Sequence, residues 1–312
     1  MKRLLITIGL SLFMPGLVSA ASVSPSLIDI SVERGETIEE SISVINTSKS
    51  DQIYYLDVIE FTAREEGGEP QFISLQESHS EHLDWFSFES DTVVVPAESI
   101  GDVTFDLLVP PNIQSGGYFA AVTVSQSPED LISSNGALIE AKIAVLVLIT
   151  VEGDIVETAQ LLDFGSDMSG AFLSTPDVDA VYRIQNQGNV HVLPVGTIKV
   201  TDIFGRTITE SDANISLGRI LPESTRVYQV QVSSGDHGSW IQLVNYQAQN
   251  FAIGPMRATL DLVYGKDSKT IQSEFSFWLI PWQLGITVMS VAALLLLVYK
   301  LGARASRGTY KT

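Results

Sequence analysis

The chain has 312 residues, no cysteine, 37 acidic against 18 basic residues, and a formal net charge of −19. So acidic a surface repels nucleic acid and anionic lipid headgroups, which argues against binding either by charge. Without disulfides the domains must be stabilised by hydrophobic cores alone.

The first twenty residues have the three parts of a secretory signal peptide. Lys2-Arg3 is the positive start, Leu4–Leu12 is a short apolar run, and Val18-Ser19-Ala20 offers the small residues that signal peptidase requires. An uncleaved anchor is the alternative, but the run is short for one. The pattern is typical of bacteria and predicts cleavage after Ala20, which gives an exported mature chain.

Short segments of period two dominate residues 21–153 and predict strands, because they are rich in β-branched and aromatic residues and bounded by turn residues. One such strand ends at the polar turn Asn46-Thr47-Ser48. Gly116-Gly117, before an aromatic strand, indicates positive φ or a close approach of chains. The apolar run Ile143–Ile149 predicts a strand buried on both faces. One short helix is predicted around Glu77–Trp85.

Residues 154–276 repeat this order of turns. The strand ending at Asn186 echoes the strand ending at Asn46, and Pro222-Glu223-Ser224 echoes the turn from Pro96 to Ser99. Gly254 takes the place of Gly117. The repeat predicts an all-β ectodomain of two tandem immunoglobulin-like β-sandwiches, 21–153 and 154–276, with the boundary at Gly153.

An uncharged stretch near the C-terminus, from Trp278 to Tyr299, is long enough to cross a bilayer, which takes about 20 helical residues. Aromatic residues stand at both of its edges, and the tail 300–312 is basic. A buried core helix is the alternative, but such a helix rarely lacks a polar face at this length. The sequence predicts a transmembrane helix over 277–299, a cytoplasmic tail, and an extracellular ectodomain anchored in the cell membrane.

The layout resembles that of the WxL-interacting proteins of Gram-positive bacterial surfaces. The resemblance rests on the signal peptide, Gly116-Gly117-Tyr118 in the first sandwich, the segment Gln185–Val192 in the second, the single span and the basic tail. It implies two β-sandwich domains in non-catalytic complexes at the cell wall, the first associated with peptidoglycan and the second with host or matrix factors. It implies no catalytic residues.

Two groups of side chains could bind metals. His79 and His82, with Glu77, Glu81 and Asp84 beside them, would share one helix face and could hold zinc. An exposed polar segment is the favoured interpretation, because no further ligand follows. The acidic groups Glu65-Glu66 with Glu69, and Glu129-Asp130, could hold a structural calcium ion, although a solvated acidic surface explains them as well.

No arrangement of residues predicts catalysis. His191 and His237 lack a nucleophile elbow of the Gly-x-Ser-x-Gly type, and no phosphate-binding loop is present. Trp85 and Trp240 are predicted to be packed, and a carbohydrate platform would require both to be exposed. We therefore assign no catalytic, cofactor or metal residues, and leave the ligand-binding residues open.

The sequence predicts a membrane-anchored bacterial surface protein that binds cell-wall polymer or another surface protein through its sandwiches. An exposed edge strand could accept a strand of that partner. The alternative is a structural or chaperone-like subunit of a surface or secretion assembly.

Overall fold

The computed structural model describes residues 21–73, 80–126, 142–166, 172–233 and 238–308, and the predicted signal peptide lies outside them. Most described residues before the C-terminal helix lie in strands. The first ten strands are β1 (Ser22–Ser24), β2 (Leu27–Val32), β3 (Thr37–Asn46), β4 (Gln52–Arg64), β5 (Glu69–Phe72), β6 (Phe86–Phe88), β7 (Thr92–Val95), β8 (Ser99–Leu108), β9 (Gly116–Ser125) and β10 (Ile143–Val151).

Eight more strands and two α-helices follow. They are β11 (Ala159–Ser166), β12 (Phe172–Leu173), β13 (Val178–Asn186), β14 (Val195–Thr201), β15 (Thr207–Asp212), β16 (Thr225–Val232), α1 (Trp240–Gln249), β17 (Gly254–Tyr264), β18 (Lys269–Leu279) and α2 (Trp282–Gly308). A 3₁₀ helix occupies Glu81–Trp85, within the short helix that the sequence predicts; residues 74–79 are outside the described part.

The chain forms two compact units. Unit 1 is built from the described residues of Met1–Glu60, Ser74–Ile113 and Phe119–Leu148, and unit 2 from those of Phe61–Ile73, Gln114–Tyr118 and Ile149–Thr312. Two segments of the predicted first range, 21–153, belong to unit 2 instead of unit 1: Phe61–Ile73 and Gln114–Tyr118.

Four sheets organise the strands. One has the order β1-β3-β8-β6, and a second has the order β2-β10-β9-β4-β5 with β7 also paired to β4. The remaining strands form a three-stranded sheet, β11-β13-β16, and a five-stranded sheet, β12-β18-β17-β14-β15.

The core of unit 1 follows from the alternation along its strands. In β8 the side chains of Val103, Phe105 and Leu107 are buried while the residues between them are exposed. At Gly101 a Cβ atom would lie 2.8 Å from Cγ2 of Val95, so a strand of the second sheet passes directly over β8 there. The prediction that the run Ile143–Ile149 is buried on both faces holds for Val147–Ile149, whereas Ile143, Ala144 and Leu146 are only partly buried.

The core of unit 2 draws on both of its sheets. Tyr182 of β13 and Tyr228 of β16 stack with their ring centroids 4.7 Å apart, and both are buried. Burial raises the pKa of each phenol well above its usual value, so both stay neutral. The hydroxyl of Tyr182 donates to the carbonyl oxygen of Ala213 at 2.8 Å, which satisfies its polar end.

The glycine signal before β9 is confirmed. Gly116 has φ of +147°, and the N–H of Gly117 donates to the carbonyl oxygen of Asn189 at 2.8 Å within unit 2. A Cβ atom on Gly116 would lie 3.2 Å from that same oxygen, so the backbone approach leaves little room for a side chain.

The start of the predicted membrane span needs correction. Phe277–Leu279 belong to β18, because β17 pairs with this strand as far as Leu279, opposite Gly254. Pro281 then ends the strand, and α2 begins at Trp282. Within α2, Trp282–Arg304 has a mean hydropathy of 2.1 and is long and apolar enough to cross a membrane.

Candidate strand-binding edge of unit 1

One edge of the four-stranded sheet is open. Strand β3 pairs with β8 along its whole length, from Ser99 to Leu108. On the opposite side, β6 pairs only with Phe105–Leu107. Residues Ser99–Thr104 of β8 therefore have no strand partner on that side among the residues that the structure describes. We call this segment the open edge of β8.

The open edge exists because the chain leaves the sheet after β6. The hydroxyl oxygen of Ser90 accepts a hydrogen bond from the N–H of Thr92 at 3.2 Å, in the turn that follows β6. The next strand, β7, then pairs with β4 in the other sheet. Because β6 has only three residues, it covers less than half of β8.

Aromatic contacts hold β6 against β8. Phe86 and Phe88 of β6 each lie with their ring centroids 5.6 Å from that of the buried Phe105. Such pairs add to the stability that burial provides.

Every second residue along the open edge of β8 turns its backbone N–H and C=O towards the open side, so the edge offers an unpaired row of donors and acceptors.

A groove of about 440 Å³ lies beside the open edge. Four carboxylates line it, and no lysine, arginine or histidine does; the acidic residues are Glu39, Glu89, Asp102 and Asp106, all exposed. The Ser43 hydroxyl donates to Oδ1 of Asp102 at 2.7 Å and fixes that side chain. Unpaired backbone and carboxylates together suit an extended peptide that carries basic side chains.

Of the candidate zinc ligands, the structure describes Glu81, His82 and Asp84. His82 is buried, its Nε2 lies 3.2 Å from the carbonyl oxygen of Phe119, and its ring contacts Trp85. Burial lowers the pKa of His82, while the Phe119 carbonyl and the charge of Glu60 act against this shift. Glu77 and His79 lie outside the described residues. In the described ranges no group of three or more His, Cys, Asp or Glu side chains could hold a metal ion.

One of the two predicted calcium sites lies partly in an ion pair. Glu66 forms an ion pair with Arg183, and its backbone oxygen accepts from the N–H of Val227 at 2.8 Å. The carboxylate of Glu66 is thus already paired within unit 2. The second acidic group, Glu129-Asp130, is not among the described residues, so calcium binding there stays a prediction.

Three of the four candidate catalytic and sugar-binding residues are described by the structure. His191 is half-buried, next to Val192, which pairs with Ile220; His237 is outside the described part of the chain. Trp85 is 3% exposed, as predicted for a core residue. Trp240 is 48% exposed, so its predicted packing holds only in part. The two tryptophans do not form the exposed pair that a carbohydrate platform requires.

Sequence reasoning proposed an exposed edge strand without locating it at β8, and it missed helix α1. The edge depends on which strands pair with each other, and a single sequence does not reveal this pairing. Helix α1 had a local signal: Ser239 and Gln242 have the spacing of a capping box, and the structure forms that box. Trp240, Leu243 and Val244 also follow helical spacing.

Comparison with known proteins gives only distant structural likenesses. No protein-family profile matches the chain, and no curated protein matches its sequence. Among solved structures, the class 5 fimbriae chaperone CfaA is 11% identical with a TM-score of 0.38, covering 84% of this chain and 100% of that chain. The Pseudomonas aeruginosa CupB2 chaperone is 10% identical with a TM-score of 0.35, covering 82% and 100%. The E. coli chaperone DraB is 8% identical with a TM-score of 0.34, covering 84% and 97%.

These neighbours share β-sheet architecture with this chain at low similarity. Because all three TM-scores lie below 0.5, no function is inferred from them.

Proposed function

We propose that this protein is a membrane-anchored, non-catalytic binding protein that captures an extended segment of a partner protein by strand addition. The observation that carries the proposal is the open edge of β8 beside an acidic groove. Capture of a protein segment fits a chaperone-like or structural subunit of a surface assembly better than it fits a binder of wall polymer.

Backbone pairing supports a protein as the partner. A polysaccharide has no regular row of N–H and C=O groups to complete the open edge, whereas an extended peptide has. Each added backbone hydrogen bond contributes about 1 kcal/mol net. The alternating exposed side chains of the open edge, such as Asp102 and Thr104, would then lie beside those of the partner strand.

The anchoring part of the proposal rests on α2. We propose that the chain crosses the membrane once through the segment Trp282–Arg304 of this helix, with Lys300 and Arg304 at the cytoplasmic end. The two units, as tandem immunoglobulin-like sandwiches, then lie on the outer side. The resemblance to WxL-interacting proteins agrees with this topology and stays a prediction.

Charge reversal in the groove tests the proposal. Intact cells that produce the full chain are treated with a chemical cross-linker, and the chain is purified with its adducts. We expect one dominant protein partner, whose recovery is lost in Glu89→Lys/Asp106→Lys because the carboxylates then no longer attract its basic side chains.

The matched control is Glu33→Lys/Glu81→Lys, which makes the same charge change at exposed positions of unit 1 outside the groove. This control should retain the partner. Recovery of wall polymer with no protein adduct, or equal loss of the partner in both variants, would contradict strand capture at this edge.

A further inference from the structure

Unit 2 has exposed large apolar side chains near the start of α2. They are Ile203, Phe204, Trp240, Ile241, Phe251 and Ile253, and we call them the apolar rim. Phe204 is 87% exposed and Ile241 is 80% exposed. Apolar surface of this extent is unfavourable in water unless another apolar surface covers it.

Strand pairing places the members of the rim at one end of the five-stranded sheet. Gly254, directly after Ile253, pairs with Leu279, the last residue of β18, three residues before α2 begins. Thr201, before the turn that carries Ile203 and Phe204, pairs with Arg257 in the same part of β17. Ile203, Phe204, Phe251 and Ile253 line one shared groove of about 300 Å³.

Helix α1 is fixed to the first turn of α2. The ring centroids of Trp240 and Trp282 lie 5.8 Å apart, and Nε1 of Trp240 donates to Oγ1 of Thr287 at 3.3 Å. This contact extends the apolar rim directly into the apolar surface of α2.

A buried pair of glutamines holds the two helices together. Nε2 of Gln247 donates to Oε1 of Gln283 at 2.7 Å and to the carbonyl oxygen of Ser174 at 2.9 Å. Oε1 of Gln247 accepts from the N–H of Leu284 at 2.9 Å. Gln247 thus pairs both donors and its acceptor away from solvent, which makes the junction tolerable in an apolar environment.

The rim is almost free of net charge, in contrast to the strongly acidic chain as a whole. Helix α1 contains no charged residue. In the neighbouring turn, Asp202 and Arg206 neutralise each other, with Nε of Arg206 3.1 Å from Oδ2 of Asp202. Hydrogen bonds from the backbone N–H of Arg206 lower the pKa of Asp202, so this pair stays ionised and internally satisfied.

We propose that the apolar rim and α1 lie in the headgroup region of the bilayer that α2 crosses, on the side of unit 2. The occupant of this surface is lipid, because the rim is continuous with the membrane-spanning helix and has the composition of an interfacial segment: aromatic and aliphatic side chains without net charge. The inference rests on the proposed anchoring by α2 and adds a second membrane contact to it.

The consequence is a fixed orientation of unit 2. With both α1 and α2 in contact with the membrane, β17 and β18 point away from it. The β17–β18 turn at Asp267 then stands roughly 35 Å from the rim, since β18 has 11 residues and a strand rises about 3.3 Å per residue. Binding through apolar side chains should not require anionic lipid.

The absence of cysteine makes a direct test simple, because each introduced cysteine is the only one in the chain. An environment-sensitive fluorophore is placed on Phe204→Cys, Ile241→Cys and Ile253→Cys in the full chain, held in phosphatidylcholine nanodiscs. Leu295→Cys reports on the membrane span, and Asp267→Cys is the aqueous control.

We expect labels on the rim to emit at shorter wavelength than the label at position 267. Iodide should quench the rim labels less than that label, and lipids with a nitroxide near the headgroup should quench them more. The inference would be overturned, and the anchoring left intact, if iodide reached the rim labels as easily as the label at position 267 while the label at position 295 stayed protected. An accessible Leu295 label would overturn the anchoring, and the inference with it.

Discussion

At the scale of single residues, Asn46 and Asn186 have the same structural role. Each ends a strand, is buried, and donates through Nδ2 to the carbonyl oxygen four residues ahead, Ser50 or Val190. Each also donates to a carbonyl near the following proline turn, and accepts through Oδ1 from the N–H two residues ahead. An apolar residue would leave four backbone groups without these partners at position 46 and three at position 186.

We expect His82 to make the stability of unit 1 depend on pH. Because burial lowers its pKa, the unfolded chain binds a proton below pH 6.5 that the folded chain does not bind. The free energy of unfolding should therefore fall as the pH drops from 6.5 towards the lowered pKa, by at most about 1.4 kcal/mol per pH unit.

His82→Gln keeps an amide able to reach the Phe119 carbonyl but removes the titration, so it should reduce this slope. The measurement is urea unfolding of the full chain in neutral detergent between pH 8 and pH 5. Glu81→Gln, at an exposed position of the same 3₁₀ helix, is the control and should keep the slope. An unchanged slope in His82→Gln would show that His82 does not cause it.

At the scale of elements, the junction of α1 and α2 depends on one side chain. Gln247→Ala should leave Oε1 of Gln283, the N–H of Leu284 and the carbonyl of Ser174 without their present partners. Each such buried loss costs about 1–3 kcal/mol, so the amides of α1 and of Leu284 should exchange hydrogen faster.

Gln249→Ala is the matched control, because it makes the same change at an exposed position two residues further along α1. Amide exchange of the full chain in detergent, followed by mass spectrometry, distinguishes the two variants. Equal exchange in both would mean that the glutamine pair does not hold the helices together.

Much of the strand and turn pattern was accessible from sequence, because local chemistry determines it. The turns after Pro96 and Pro222 were aligned by sequence, and Glu98 and Glu223 both adopt positive φ there, at 53° and 57°. Ser99 and Ser224 each donate through the hydroxyl to the carbonyl three residues back. These features depend on residues close in the chain.

Features that depend on distant residues were not accessible. The end of β18 at Leu279 is determined by its pairing with Gly254, so an apolar run alone suggested an earlier start for the membrane helix. The open edge of β8 depends on β7 joining the other sheet. Neither pairing can be predicted from the local sequence.

At the scale of the whole molecule, charge is distributed unevenly along the chain. Residues 21–276 hold all 37 acidic residues, whereas the chain after them has only basic ones. The carboxylates beside the open edge belong to this acidic surface, and the apolar rim is a nearly neutral interruption of it. This distribution suits a protein that meets lipid at one surface and a basic polypeptide at another.

The central claim is that the open edge of β8 receives a strand of another protein. The most direct measurement places a photo-cross-linking amino acid at Thr104 in the full chain, in intact cells, with the same amino acid at Glu33 as the control. We predict that Thr104 yields one dominant protein adduct, that Glu33 does not, and that peptide mapping of the adduct finds an extended segment rich in lysine or arginine. Adducts of equal identity and yield at both positions, or none at Thr104, would contradict the claim.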